Sequence, residues 1–157
     1  MRIRVESLPG EPPPNVIRLL ATDQPRCWWR VAHADGWVVV LGTHQPEHAP
    51  VVCESGAGVV FLGAEQAVFA LSGEDGAVVR AVQDASDVRS LTRLSGGMIL
   101  AEGGDQLLAF DAIGSLRWRQ NLPDLVNEVG EQGSILVVTD MSGDEYRLST
   151  DTGRPAR

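Results

Sequence analysis

Two of the three histidines in the chain stand in His44-Gln45-Pro46-Glu47-His48, which matches the pattern H-x-x-E-H. On a helix this spacing puts both imidazoles on one face, where they bind zinc beside an acid–base glutamate. Pro46 lies between the ligands and Pro50 follows, so helical geometry is lost and residues 43–50 read as a solvated loop between strands. His44 and His48 are therefore the metal candidates, and His33 joins them only if the fold brings it there. Asp140-Met141-Ser142-Gly143-Asp144-Glu145 has the oxygen density of a calcium loop, but its glycine is misplaced and no distal bidentate glutamate follows. It reads as a turn between two strands. Ser55-Gly56-Ala57-Gly58 lacks the G-x-S-x-G elbow of a serine nucleophile. Cys27 and Cys53, beside Trp28 and Val52, read as small buried hydrophobes rather than nucleophiles. These residues predict no catalytic set and no cofactor.

Trp28, Trp29 and Trp37 concentrate aromatic surface in one short stretch. On a strand, Trp28 and Trp29 point to opposite faces, so one of them faces outward unless both faces are covered. An exposed indole beside Arg26 or Arg30 makes a binding hot spot. Trp28, Trp29, Arg30 and Trp37 are accordingly the candidate partner-binding residues, with packing between structural units as the competing role.

The elements that must position these residues are short strands. Apolar residues make up 43% of the 157 and charged residues 22%, which is ordinary for a globular chain. Seventeen Gly and nine Pro fit a chain that turns often. All thirteen basic residues are Arg, the usage of a GC-rich bacterial genome, and the lack of Lys excludes Schiff-base chemistry and a phosphate-loop lysine. The formal charge of −8 disfavours nucleic acid and anionic membrane and favours solubility, its commoner reason, or a basic partner. No apolar segment resembles a signal peptide or a membrane span, so a cytoplasmic protein with reduced thiols is expected.

The chain repeats itself. Val59-Val60-Phe61-Leu62-Gly63, Met98-Ile99-Leu100-Ala101-Glu102 and Ile135-Leu136-Val137-Val138-Thr139 start 39 and then 37 residues apart, each behind a glycine-bearing turn. Second strands follow at Val68–Ser72, Leu107–Asp111 and Glu145–Ser149, each running into a polar turn that ends at Gly76, Gly114 or Gly153. A period of about 38 residues matches one four-stranded propeller blade.

Ala109-Phe110-Asp111-Ala112-Ile113-Gly114-Ser115-Leu116-Arg117-Trp118 resembles the repeat of PQQ-type β-propellers, A-L-D-x-x-T-G-x-x-x-W, shortened by one residue in the turn. Ala70–Gly76 with Arg80, and Arg147–Gly153 with Arg157, fit the full spacing with substitutions. The resemblance covers about residues 50–157 and implies that the Trp of one blade packs on the next. Only Trp118 keeps that Trp, so other side chains must dock the remaining blades. The ligand set of the quinone enzymes finds no counterpart here.

Together these readings predict an all-β fold of antiparallel blade repeats, a small or partial β-propeller of about 3–4 blades. The 157 residues form one domain: 1–49 supply irregular N-terminal strands and a hairpin, and repeats occupy about 50–85, 86–122 and 123–157. An N-terminal strand, Arg2–Glu6 or Val16–Leu20, is expected to complete the last blade. The expected function is a non-catalytic protein–protein interaction module, an immunity or regulatory protein whose acidic surface masks a basic partner, with a homodimer through open blade edges. The rival is a hydrolase or a metal- or small-ligand-binding propeller with its site around His33, His44 and His48.

Overall fold

A computed structural model of the chain describes residues 2–156. Fifteen strands, and no helix among these residues, form four sheets. The first blade contains β1 (Ile3–Leu8), β2 (Ile17–Leu20), β3 (Cys27–His33) and β4 (Val38–Thr43) in the spatial order β1-β3-β4-β2. The second is a meander of β5 (Val51–Glu54), β6 (Val59–Ala64), β7 (Ala67–Ser72) and β8 (Val78–Val82). The third repeats that order with β9 (Ser90–Arg93), β10 (Ile99–Glu102), β11 (Gln106–Phe110) and β12 (Leu116–Asn121). The fourth has three strands, β13 (Val126–Gln132), β14 (Ile135–Asp140) and β15 (Glu145–Ser149). Pro155 bridges Leu148, so the chain beyond the last turn runs back along β15.

The four sheets stack face to face in chain order, with one apolar layer at each junction. Val31, Leu41 and Trp29 of the first blade meet Val60, Leu62 and Phe69 of the second. Phe61, Val68 and Ala70 turn the other way and meet Ile99, Leu108 and Phe110 of the third. Leu100, Leu107 and Trp118 then meet Leu136, Val138 and Leu148 of the fourth. All six residues of β6 are buried because each of its faces is covered by a neighbouring blade. This explains its unbroken apolar run, where a strand with one wet face would alternate. The architecture is a partial β-propeller of four blades.

The N-terminal strands do not complete the last blade, as the sequence suggested they would. Both belong to the first: β1 pairs antiparallel with β3, and β2 lies on the opposite edge, parallel to β4. Leu19 of β2 and Ile3 and Val5 of β1 pack into the first apolar layer. Their apolar side chains are thus buried locally, which removes the reason to reach for a distant edge.

Candidate functional site

The chemical candidates lie at opposite ends of the first blade. His33 ends β3, and its backbone N–H donates to the carbonyl of Trp37, the residue before β4. His44 and His48 follow the far end of β4, so the strand holds them roughly 20 Å away at about 3.3 Å per residue. His44–Ala49 is exposed loop, and among the described residues no three metal-ligating side chains converge. The rival site around three histidines is therefore not assembled. His33 is fully buried, stacks on Trp37 with ring centroids 4.9 Å apart, and accepts the Asp35 N–H at Nδ1.

The aromatic candidates are packed rather than presented. Trp29 lies in the first apolar layer, and its indole donates to the buried Thr43 hydroxyl at 3.0 Å. Trp28 faces the other way and is equally buried, held over Gly42 beside Pro25 and under the Arg18 guanidinium, 5.5 Å from the ring centroid. Trp28 is covered by Arg18 and Pro25 of its own blade and Trp29 by the second blade, so neither indole forms a surface patch. Arg30 remains half-exposed near Glu6.

Trp37 performs at the first junction the docking that Trp118 performs at the third. Trp118 Nε1 donates to Thr150 O at 2.7 Å and the ring lies against Gly153; Trp37 Nε1 donates to Gly73 O at 2.8 Å and lies against Gly76. At the middle junction Ser55 Oγ donates to Ala112 O at 2.6 Å. Gly73, Ala112 and Thr150 each follow the last residue of the repeat's second strand. The carbonyl at this position is thus bound by the preceding blade at all three junctions. Trp37 thus takes the packing role weighed for it against partner binding, although it follows Gly36 directly instead of keeping the repeat's spacing.

Asp140 is likewise structural. It is buried, its Oδ1 accepts the Ser142 and Asp144 N–H groups, and its Oδ2 accepts the Tyr146 hydroxyl. That hydrogen bond raises the Tyr146 pKa above its usual value. The thiols are free and half-buried, and burial pushes the Cys53 pKa up.

A different surface stands out: the end of the stack where blades are joined. The turn or connection at 65–66, 84–88, 103–105, 123–125 and 141–144 all lie there. Val88 N–H donates to Glu65 O, Gly104 N–H to Ser86 O, Val126 N–H to Gly104 O, and Met141 N–H to Leu125 O. This face carries Asp23, Glu47, Glu65, Asp84, Asp87, Asp105, Asp124 and Asp144, against Arg26, Arg89 and Arg119. Two of the arginines are already paired, Arg89 with Asp87 at 2.8 Å and Arg119 with Asp84 at 2.9 Å. A cleft of about 650 Å³ opens on it between Glu47, His48, Glu65, Asp87 and Arg89. Glu65 accepts the His44 and Gln45 N–H groups at 2.6 and 2.9 Å, which ties the 44–50 loop to the second blade.

The hydrogen bond from Arg119 holds the Asp84 pKa below the usual range, and the Ser142 hydroxyl and Leu125 N–H do the same for Asp124. A depressed carboxylate contributes stability above its unfolded pKa and loses it as pH falls through the folded value. Thermal unfolding midpoints should therefore stay level between about pH 8 and 5 as far as these groups are concerned, then fall below about pH 4. The Asp84→Asn variant should show a shallower fall; an equal one removes Arg119–Asp84 as a contributor.

No protein-family model and no curated protein sequence matches the chain. Solved structures do. The computationally designed Ika8 protein is 15% identical with a TM-score of 0.54, over 83% of this chain and 45% of that one. Sqt1 of Saccharomyces cerevisiae is 14% identical with a TM-score of 0.55, over 87% and 46%. Dihydro-heme d1 dehydrogenase NirN, solved in complex with DHE, is 14% identical with a TM-score of 0.55, over 83% and 32%. The propeller-like fold is shared. At these identities the likeness extends to fold alone, and the chain spans less than half the length of each of these three proteins.

Proposed function

We propose that the chain is a non-catalytic protein-binding module, an immunity or regulatory protein that uses the blade-junction face to hold a basic partner protein. The observation that carries this is the acidic face itself: eight carboxylates from all four blades against three arginines, two of them already neutralised by Asp87 and Asp84. A surface of one sign speeds encounter with an oppositely charged partner and rejects nucleic acid. Turns between propeller strands vary without cost to the apolar layers beneath them, which suits recognition. No helix among the described residues is long and apolar enough to cross a membrane.

In this reading the protein is bacterial and cytoplasmic, and residues 1–157 act as one domain with repeats at about 50–85, 86–122 and 123–157. The blade belongs to the PQQ-like type, supported by the stacking of Trp118 on Gly153 and of Trp37 on Gly76. The chain also forms a homodimer through its open blade edges.

The test is binding of a fluorescent nona-arginine peptide and of hen lysozyme, as basic probes, at 50 and 500 mM NaCl. Wild type should bind both at low salt and lose at least tenfold in affinity at high salt, about 1.4 kcal/mol. Glu47→Gln/Asp87→Asn/Asp105→Asn should lose a similar factor at low salt, while His44→Ala/His48→Ala should bind like wild type. Asn at 87 preserves the φ of +38° that Asp87 adopts. Equal binding by the triple variant, or loss of binding in the histidine variant, would sink the reading.

A further inference from the structure

The two ends of the blade stack are unequal. In β14 the sequence Ile135-Leu136-Val137-Val138-Thr139 is a continuous apolar and β-branched run, like that of β6, whose faces are both covered. Leu136, Val138 and Asp140 are buried against the third blade or by their own turn, while Ile135, Val137 and Thr139 on the other face are only half-buried. By strand register this uncovered face is a grid. Thr139 lies between Glu128 and Glu145, Val137 between Gly130 and Arg147, and Ile135 between Gln132 and Ser149.

The outer face of the first blade has the complementary character. Register places Arg4 beside Ala32 and Val38, Glu6 beside Arg30, Val40 and Arg18, and Leu8 beside Trp28, Gly42 and Leu20. Three arginines against one glutamate make it cationic in a chain of net charge −8. The open face of the fourth blade carries two glutamates against one arginine. Its edge strands β13 and β15 hold Glu128 and Glu145, and the edge strands β1 and β2 of the first blade hold Arg4 and Arg18.

We infer that the uncovered face of the fourth blade docks head-to-tail on the outer face of the first blade of a second copy, and that two copies close into one ring of eight blades. This repeats the blade-on-blade step already made three times within the chain, and it covers Ile135, Val137 and Thr139 with apolar and arginine-stem surface. A head-to-tail contact closes as a ring when the rotation allows it, and twice four blades stays within the roughly four to eight of closed propellers. The inference refines the homodimer of the reading above and is independent of the acidic face, which nona-arginine binding tests separately.

The experiment is solution mass by light scattering at 10–100 µM, with circular dichroism confirming a folded β-sheet spectrum in every variant. Wild type is expected at twice the chain mass. Val137→Arg, which blocks the fourth-blade face, and Arg4→Glu/Arg30→Glu, which reverses the first-blade face, should each weaken dimerisation at least tenfold. Mixing the two variants should restore a dimer held by one intact junction, because each supplies the face the other lacks there. A monomeric wild type overturns the inference and leaves the binding module standing. A dimer that survives in Arg4→Glu/Arg30→Glu but not in Val137→Arg overturns it as well, since it means that two fourth blades meet symmetrically. Species larger than two copies overturn the closed ring.

Discussion

Trp118→Ala should lower the stability of the chain by about 3–5 kcal/mol, the largest side-chain effect expected at any junction. The indole is 8% exposed, lies among Leu100, Leu136 and Leu148, and donates to Thr150 O at 2.7 Å. Removal takes away the apolar contact, leaves a cavity beside Gly153, and strands the Thr150 carbonyl. In a chain of this size such a loss shifts the unfolding midpoint by on the order of 10 °C. Trp118→Phe keeps most of the ring volume but not the N–H, so it should recover more than half of the loss. Thermal and urea unfolding of the three proteins check this. A Trp118→Ala midpoint within 2 °C of wild type (roughly 0.5–1 kcal/mol) would mean that the indole is not the joint between the third and fourth blades.

Gly103→Ala comes second, at roughly 3 kcal/mol, the upper end of overpacking costs. Gly103 sits in the β10–β11 turn, and a Cβ there would run into the backbone carbonyl of Ser86. That oxygen accepts the Gly104 N–H at 2.7 Å, and Ser86 N–H in turn donates to Gln106 Oε1. Relief of the clash must therefore move the connection between the second and third blades, and no flexible side chain is available to give way instead. Gly96→Ala is the control, because a Cβ at Gly96 meets nothing within 4 Å. It should change stability by about 0.5 kcal/mol or less. Equal effects at positions 96 and 103, measured by urea unfolding, would show that the close approach at Ser86 does not constrain the turn.

Both predictions concern junctions, and the junctions separate what could be read in the sequence from what could not. The period was legible at positions 59, 98 and 135, because every blade needs the same two-sided apolar strand and the same glycine turn. Gly76, Gly114 and Gly153 all adopt positive φ, the conformation that made glycine conspicuous there. The solvated loop at His44–Ala49 and the turn at Asp140–Glu145 were legible for the same local reason, since proline and short polar residues dictate backbone shape within a few positions.

The site residues were less accessible. Trp28 and Trp29 alternate as a strand demands, but whether an alternating face is wet depends on what else covers it. Pro25 and Arg18 decide that for Trp28, and the second blade for Trp29. Periodicity also gives no warning that Trp37 and Ser55 would take the docking role at junctions where the repeat has lost its Trp. The acidic face is the clearest case. Glu47, Asp84, Asp105 and Asp144 are scattered along the chain and each is unremarkable in its own turn. Their common side follows from strand direction and blade order alone.

The sequence by itself determined the strand content, the blade period and the total charge, because these follow from local backbone preference and composition. Only the tertiary structure decided that β2 pairs parallel to β4, that His33 stays apart from His44 and His48, and that the carboxylates share one end of the stack. The physical reason is that sheet pairing and face-to-face packing bring together residues far apart in the chain, and the energies that choose among such arrangements belong to the contacts formed and not to any one segment.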